Sequence, residues 1–504
     1  MGFFDFLPIS DSLKSTPKVE TLKEPEKKIS SDLSKRRYKG ATISRLTSDW
    51  AASSSSADAE IKTSLKKLRD RSRQLCRDNP YAKQAKRTTQ INVIGQGIKL
   101  QCQVPALRGK KKDQKLCYLI EKCWKDWCKR DSCDVSGQRS FVMLENMLAG
   151  ALPESGEVIF RIVRKKFGKS KISLGLEMIE SDLLDEDYQG SVKRKGNEWR
   201  MGVEVDSWGR PVRFAFLTRH PGDYWFKDPY EKTKHIFLDA KDVIHLYLPE
   251  RPGQNRGVPW FASVMDDLHQ MSGYESAAVV RARAGASLMG FITSNEGELE
   301  ADDVEDEQRV TDWEAGVFKY LNPGEDITVP NVSSPDQQYE MFIRSKTRRF
   351  ASGFGCSYET ISRDFSETNY SSSRLALLED REHWKMLQTY IIENFHQRVF
   401  EEFLDAAVLD GVLSLPDYEL NTDRYTNPKW QARGWSWVDP RKEIEAFRMG
   451  EAAGYYTKSQ IVSMLGNDLD DNIQQIKAEQ DQLSESGVQL DLDLKVISED
   501  ISSE

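Results

Sequence analysis

Asp364-Phe365-Ser366-Glu367-Thr368-Asn369-Tyr370-Ser371-Ser372-Ser373-Arg374 is a mostly polar run that leads straight into a long helical pattern. Ser, Thr, Asn and Asp side chains bond neighbouring backbone groups, so they favour turns and helix starts over helix interiors. Ser371, Ser372 and Ser373 are therefore the expected caps of the long helix. Downstream, Leu387, Ile391, Phe395, Val399 and Phe403 recur at spacings of four, with Leu378, Tyr390 and Phe400 beside them. That is one broad apolar stripe on a helix. The stretch reads as an exposed loop held at the N-terminus of a core-packing helix, and a solvent-exposed linker is the plainer alternative.

Further motifs lie on either side of it. Asp242-Val243-Ile244-His245-Leu246-Tyr247 and Arg251-Pro252-Gly253-Gln254-Asn255-Arg256-Gly257-Val258-Pro259-Trp260 come before, and Arg433-Gly434-Trp435-Ser436-Trp437-Val438-Asp439-Pro440 comes after. Arg73-Gln74-Leu75-Cys76-Arg77-Asp78-Asn79-Pro80-Tyr81-Ala82 and Asn92-Val93-Ile94-Gly95-Gln96-Gly97-Ile98 lie nearer the N-terminus. With the loop and helix, these resemble the portal proteins of tailed bacteriophages, in the lambda-type family, over residues 60 to 480.

The resemblance implies an α+β portal fold with a mixed α/β wing, a helical stem, a small α/β clip, a tunnel loop and a mainly helical C-terminal region. Mapped here, it divides the chain into an arm 1–58, wing 59–259, first stem helix 260–290, clip 291–334, second stem helix 335–355 and tunnel-loop region 356–374. The long helix and wing return occupy 375–438, C-terminal wing or crown helices 439–483, and an acidic tail 484–504. The same resemblance implies a non-enzymatic dodecamer, made in the host cytoplasm, at one capsid vertex of the virion. That ring is a channel for packaging and ejecting double-stranded DNA. Its implied partners are the terminase large subunit, a head-completion or tail-connector protein, and the major capsid and scaffold proteins. No cofactor and no membrane are implied.

Bulk properties bear on this. At 504 residues the chain exceeds one ordinary core and suggests two to four domains or subdomains. Only 38% of residues are hydrophobic and 30% are charged, so much of the surface is hydrated or in polar contact with other chains. There is no apolar run long enough to span a membrane. Seven cysteines, an odd number, point to reduced thiols. Cys117, Cys123, Cys128 and Cys133 cluster without any C-x2-C pair, and packing on a helical face accounts for them better than zinc. A net charge of −8, multiplied through a ring, argues against tight phosphate binding over the whole surface and suits a channel in which DNA slides.

The composition of residues 1 to 58 is that of a flexible arm, and the acidic tail reads as disordered. Residues 60 to 87 form a basic helical pattern in which Lys62, Lys66, Lys67, Arg69, Arg71, Arg73 and Arg77 either line a solvated face or contact phosphate. Strand-like pieces are expected at 91–104, 158–163, 173–179, 203–205, 212–217 and 242–248, and helices at 117–129 and 140–149.

Three sets of residues are candidate sites, and their roles come from the resemblance. The tunnel loop, meeting DNA in the channel, comprises Asp364, Phe365, Ser366, Glu367, Thr368, Asn369, Tyr370, Ser371, Ser372 and Ser373. Such groups can bond phosphate or water without fixed positive charge, which makes contacts weak and blind to sequence. In the second stem helix Arg344, Lys346, Arg348 and Arg349 either touch passing phosphates or pair with the acidic run or its counterpart in a neighbouring subunit. That run, with Glu298, Glu300, Asp302, Asp303 and Glu305, falls in the clip as a docking rim. It lacks EF-hand order, so no metal site is expected.

Enzyme readings fare poorly. A packaging ATPase needs G-x-x-x-x-G-K-[ST], but Gly168-Lys169-Ser170 has Val163 where the first glycine belongs. Neither H-E-x-x-H nor G-x-S-x-G occurs. Glu382 and His383 imitate an acid/base pair, though exposed helical residues are the commoner reading. No catalytic residue is assigned. The alternative function is a non-ring DNA-binding or scaffolding protein of the phage head.

Overall fold

A computed structural model describes residues 54–106, 112–224, 234–286, 291–294, 325–328, 337–366, 369–435 and 440–486, with a few positions before residue 54. The chain divides into Met1–Ser55 and Ser56–Glu504, and the second unit carries the helices and sheets.

Ser56 opens that unit by accepting a hydrogen bond from the Ala59 amide at the start of α1 (Ala57–Lys62). The basic pattern is not one helix. It breaks into α2 (Leu65–Asp78) and α3 (Pro80–Thr89) at Asn79, which proline forces into an extended conformation and whose Oδ1 accepts from the Tyr81 and Ala82 amides. Nor is the basic face wholly solvated, because Leu65, Arg69, Ser72 and Cys76 form the buried face of α2. The expected strand at 91–104 is mostly absent. A π-helical turn continues α3 over Gln90–Ile94, where burying Val93 and Ile94 wins over their strand preference, and only β1 (Lys99–Gln101) is extended.

Next come α4 (Gln114–Trp127) and α5 (Phe141–Ser155), capped by Asp113 and Ser140. Gly156 ends α5 at φ 81°, and a Cβ there would lie 2.2 Å from the Val258 carbonyl carbon, so the loop before Trp260 presses directly on this turn. β2 (Glu157–Val163) pairs antiparallel with β3 (Gly175–Ile179) on one side. β4 (Glu198–Arg200), β5 (Val203–Val205), β6 (Pro211–Leu217) and β7 (His235–Asp239) make a second antiparallel sheet in chain order. β8 (Val243–Tyr247) then completes the first sheet on the other side of β2. Alternation along β2 feeds two cores: Val158, Phe160 and Ile162 face the larger one, and Ile159 joins Val203, Phe214 and Leu238 in the smaller.

After a short 3-10 turn at Trp260–Ser263, α6 (Met265–Ala286) leads to the antiparallel pair β9 (Phe291–Ser294) and β10 (Glu325–Thr328), and α7 (Gln337–Phe354) returns beside α6. The short α8 (Tyr358–Ser362) precedes the quoted loop. Beyond it α9 (Tyr370–Ile391), a π turn (Ile392–His396) and α10 (Gln397–Leu409) form one long helical run. Leu387, Ile391, Phe395, Val399 and Phe403 are all buried, as the stripe predicts. A strict spacing of four drifts by about 40° per step around an ideal α-helix. The wider π turn winds the stripe back, so Phe395, Val399 and Phe403 stay on the core side. Leu378 departs from the expectation: it is 43% exposed, because the first turns of α9 extend past the core.

The larger core gathers rings from distant segments. Trp124 lies 5.0 Å from Phe403 edge-on, and Phe160 packs 4.7 Å from Phe395. Cys117 and Cys133 are buried in this core with Cys123 and Cys128 against it, in keeping with the packing reading. β11 (Lys429–Gln431) pairs with β1. α11 (Pro440–Ala452), α12 (Lys458–Met464) and α13 (Leu469–Ser486) close the described chain, with Thr457 and Gln460 forming a reciprocal capping box on α12. Helix thus continues to Ser486, past the expected start of the tail at 484, whose remainder lies outside the described residues. No described helix is long and apolar enough to cross a membrane.

Candidate functional site: the helix pair and the loop beyond it

α6 and α7 are joined at one end by rings and near the core by charge. Tyr274 lies 5.8 Å from Tyr339 and 4.6 Å from Phe342. On the core side, Asp267 accepts from Lys346 Nζ at 2.8 Å and pairs with Arg349 Nε at 2.8 Å. The Lys346 hydrogen bond, then the Arg349 charge, hold the Asp267 carboxyl below its usual range. Arg344 reaches Glu340 at 3.0 Å and Asp364 at 3.5 Å, and Arg348 lies 5.4 Å above the Tyr358 ring. The four bases of this helix meet Glu340, Asp364, Asp267 or the Tyr358 ring of their own chain, none of which belongs to the acidic run. The acidic run, including Glu298, Glu300, Asp302, Asp303 and Glu305, lies outside the described residues.

The loop is anchored at both ends. Arg363 adopts φ 59° and turns the chain out of α8. Asp364 then serves as a hub: Oδ1 accepts from the Ser366 amide at 3.1 Å and its hydroxyl at 2.6 Å, while Oδ2 accepts from the Tyr358 hydroxyl at 3.0 Å. The Ser366 hydroxyl and amide, followed by Tyr358, keep this carboxyl below its ordinary range. Phe365 is 57% exposed. At the far end Asn369, not a serine, caps α9 by accepting from the Ser372 amide at 2.8 Å. Ser371, Ser372 and Ser373 are inside the helix, a correction to the expected caps that shortens the loop to residues 364–369. Asn369 has the extended backbone that a cap requires, whereas the three serines already lie within the helix. Tyr370 is the first helical residue, and Glu367 and Thr368 lie outside the described residues.

Sequence reasoning missed a second constellation, a buried charge centre behind the loop at 249–259. Glu157 is fully buried at the head of β2. Arg256 donates to it through Nη2 at 2.6 Å and Nε at 2.9 Å, Arg69 lies 3.2 Å away, and His245 Nε2 is 3.0 Å from Oε2. Arg256 further donates to the carbonyls of Leu184, Met201 and Ser181. Burial alone would raise the Glu157 carboxyl, but Arg256 and then His245 outweigh it and hold the group strongly depressed. The legible signal was Glu157 opening a strand whose next three residues, Val158, Ile159 and Phe160, are apolar, since such a charge needs a partner.

Other chemistry is not assembled. Glu180, Asp182 and His220 approach one another, but Arg69 and Arg73 already neutralise Asp182. His220 Nδ1 accepts from the Gly222 amide, which leaves the proton on Nε2, the nitrogen facing Asp182 and otherwise needed as a ligand. Glu382 pairs with Lys385 at 2.5 Å, away from His383, whose imidazole is pushed down by burial.

These geometries can be set beside known proteins. A 32% identical relative, over 88% of this chain and 85% of its own length, is the probable portal protein of Halomonas phage phiHAP-1. Portal protein B of Escherichia phage lambda is 22% identical over 83% of this chain and 84% of its own. Among solved structures, a chain from the neck of an empty GTA particle aligns with TM-score 0.46 and 14% identity, over 84% of this chain and 98% of that one. The family model for phage portal proteins of the lambda family matches residues 44–388. On that match and the Halomonas phage relative together, the chain belongs to the lambda family of phage portal proteins.

Proposed function

We propose that this chain forms a dodecameric, non-enzymatic ring at a single capsid vertex, through which double-stranded DNA is packaged and ejected. Membership of the portal family supports this, and one structural observation carries the mechanism. The bases Lys346 and Arg349 share Asp267, and Arg344 is held by Glu340 and Asp364. Paired cations release few counterions on meeting phosphate, so a duplex passing the helix pair is not trapped. The loop 364–369 supplies short polar groups and the Phe365 ring as brief contacts that ignore sequence. With a net charge of −8 per chain, the ring repels DNA on average and lets it slide.

Native mass spectrometry of the purified chain, with negative-stain images of the same sample, tests the ring. The expected result is a closed particle near a dodecamer with a central hole. A stable monomer or dimer at high concentration and low salt would instead favour the non-ring DNA-binding or scaffolding protein.

In the same reading the acidic run of the clip docks the terminase large subunit during packaging, then a head-completion or tail-connector protein, while the wing meets capsid and scaffold protein. Replacing Glu300, Asp302 and Asp303 together with Ser is expected to leave assembly intact and weaken terminase binding, because rim charges steer association. Unchanged binding in a pull-down with purified terminase removes that role from the run.

A further inference from the structure

α6 changes character half-way along. Met265, Leu268 and Met271 are buried, whereas no residue from Ser272 to Arg283 is. Yet this exposed half carries a bare apolar band. Ala277, Ala278, Val279 and Val280 are consecutive and so turn most of the way around the helix, and Val279 and Val280 are 49% and 64% exposed. Among the described residues the chain meets this half where Tyr274 packs on Tyr339 and Phe342 of α7 and where Asn79 donates to Ser272. An apolar band left open beside charged residues marks a contact surface.

The charges in this half say what covers it. Between Ser272 and Arg283 the charged residues are Glu275, Arg281 and Arg283. Glu275 is half-buried beside Tyr81 and Tyr339, with no basic group in ion-pair reach among the described residues. Burial alone pushes its carboxyl up, the mark of a charge lacking compensation. Arg281 is exposed and has no acidic partner among the described residues. Six residues separate the two, which is about 240° around the helix and about 9 Å along it. The acid and the base thus sit on different faces. Two identical helices placed head to tail around a ring present just such unlike faces to each other, whereas a two-fold contact presents the same face twice.

We propose that the outer half of α6 is a contact between neighbouring copies of this chain, in which Glu275 of one copy pairs with Arg281 of the next across a layer of alanine and valine. The inference rests on the ring reading and specifies what holds its helices together. Each helix gives its acid to one neighbour and its base to the other, so only a closed ring pairs both charges of every copy.

Charge exchange tests it. Glu275→Arg and Arg281→Glu each place like charges across every interface, and each is expected to raise the concentration for half-assembly about tenfold or more, because like charges facing each other across an interface repel. The double variant Glu275→Arg/Arg281→Glu restores opposite charges and is expected to recover rings. Glu275→Gln, which keeps shape, should weaken assembly less than Glu275→Arg. Native mass spectrometry at low salt reads the rings, and circular dichroism confirms that each variant is folded. Wild-type rings beside single variants that assemble equally well, or a folded double variant that fails to recover, overturn this contact and leave the ring reading standing. A wild-type chain that stays monomeric overturns both.

Discussion

Arg256→Met lowers the first thermal unfolding transition of the isolated chain by about 4 °C. The substitution keeps bulk but leaves Glu157, fully buried, with only Arg69, His245 and the Gly257 amide, and strips the carbonyls of Leu184, Met201 and Ser181 of their donor. Removing one partner of a buried ion pair costs about 3–5 kcal/mol, because the other charge stays desolvated. Unfolding entropy is about 2.1 cal/mol/K per residue, so the unit Ser56–Glu504 loses about 1 °C per kcal/mol, which gives the expected shift. Glu157→Gln leaves Arg69 and Arg256 facing each other and is expected to act similarly. The double variant should recover part of the loss, since the two sites are in contact and do not add. The pH dependence has a definite sign. The Glu157 carboxyl is depressed by Arg256 and His245, so its contribution is complete above about pH 5 and falls away as pH drops below the ordinary glutamate range. Melts by circular dichroism at neutral pH decide the matter, and shifts within error for both single variants would show that the centre is not what holds the loop to the sheet.

That centre also shows where sequence reading stops. Periodicity placed the stripe from Leu387 to Phe403 and the strands β2, β5, β6 and β8, because each is set by neighbours a few residues away. Arg69 looked like one more member of a basic face. It is buried because Glu157, Asp182 and Glu186, about a hundred residues onward, meet it there, and no local pattern encodes a partner so distant. The break at Asn79-Pro80 was locally legible and was overlooked, since the lysines and arginines on both sides continue one helical pattern. At the loop, polarity announced a helix start, but choosing among five adjacent capping residue types requires the backbone path, and the structure selects Asn369. The roles of the loop and of the acidic run were never in periodicity. They came with the family, which the matched residues 44–388 support as a whole.

Deleting Ser366, Glu367 and Thr368 is expected to leave rings and procapsids intact while cutting the yield of DNA-filled heads at least tenfold. The deletion is chosen for what it spares. Asp364 loses the Ser366 amide and hydroxyl but keeps its bond to the Tyr358 hydroxyl, and Asn369 still caps α9 through the Ser372 amide, so each end of the loop retains an anchor. Ser366 is exposed and belongs to neither core, and stability should hold within about 0.5 kcal/mol, as for surface changes generally. What goes is the reach of the loop. A net hydrogen bond gives about 0.5–1.5 kcal/mol. If about three loops engage the duplex at once, the lost retention is about 1.5–4.5 kcal/mol, a factor of ten to a thousand. In the proposed ring, weak contacts in many copies would hold DNA against slipping without trapping it, which no single strong site could do. Heads assembled with the variant ring, assayed for protected DNA length, decide the point. Normal filling with full-length DNA would remove the loop from the grip and leave the channel wall alone to act on the duplex.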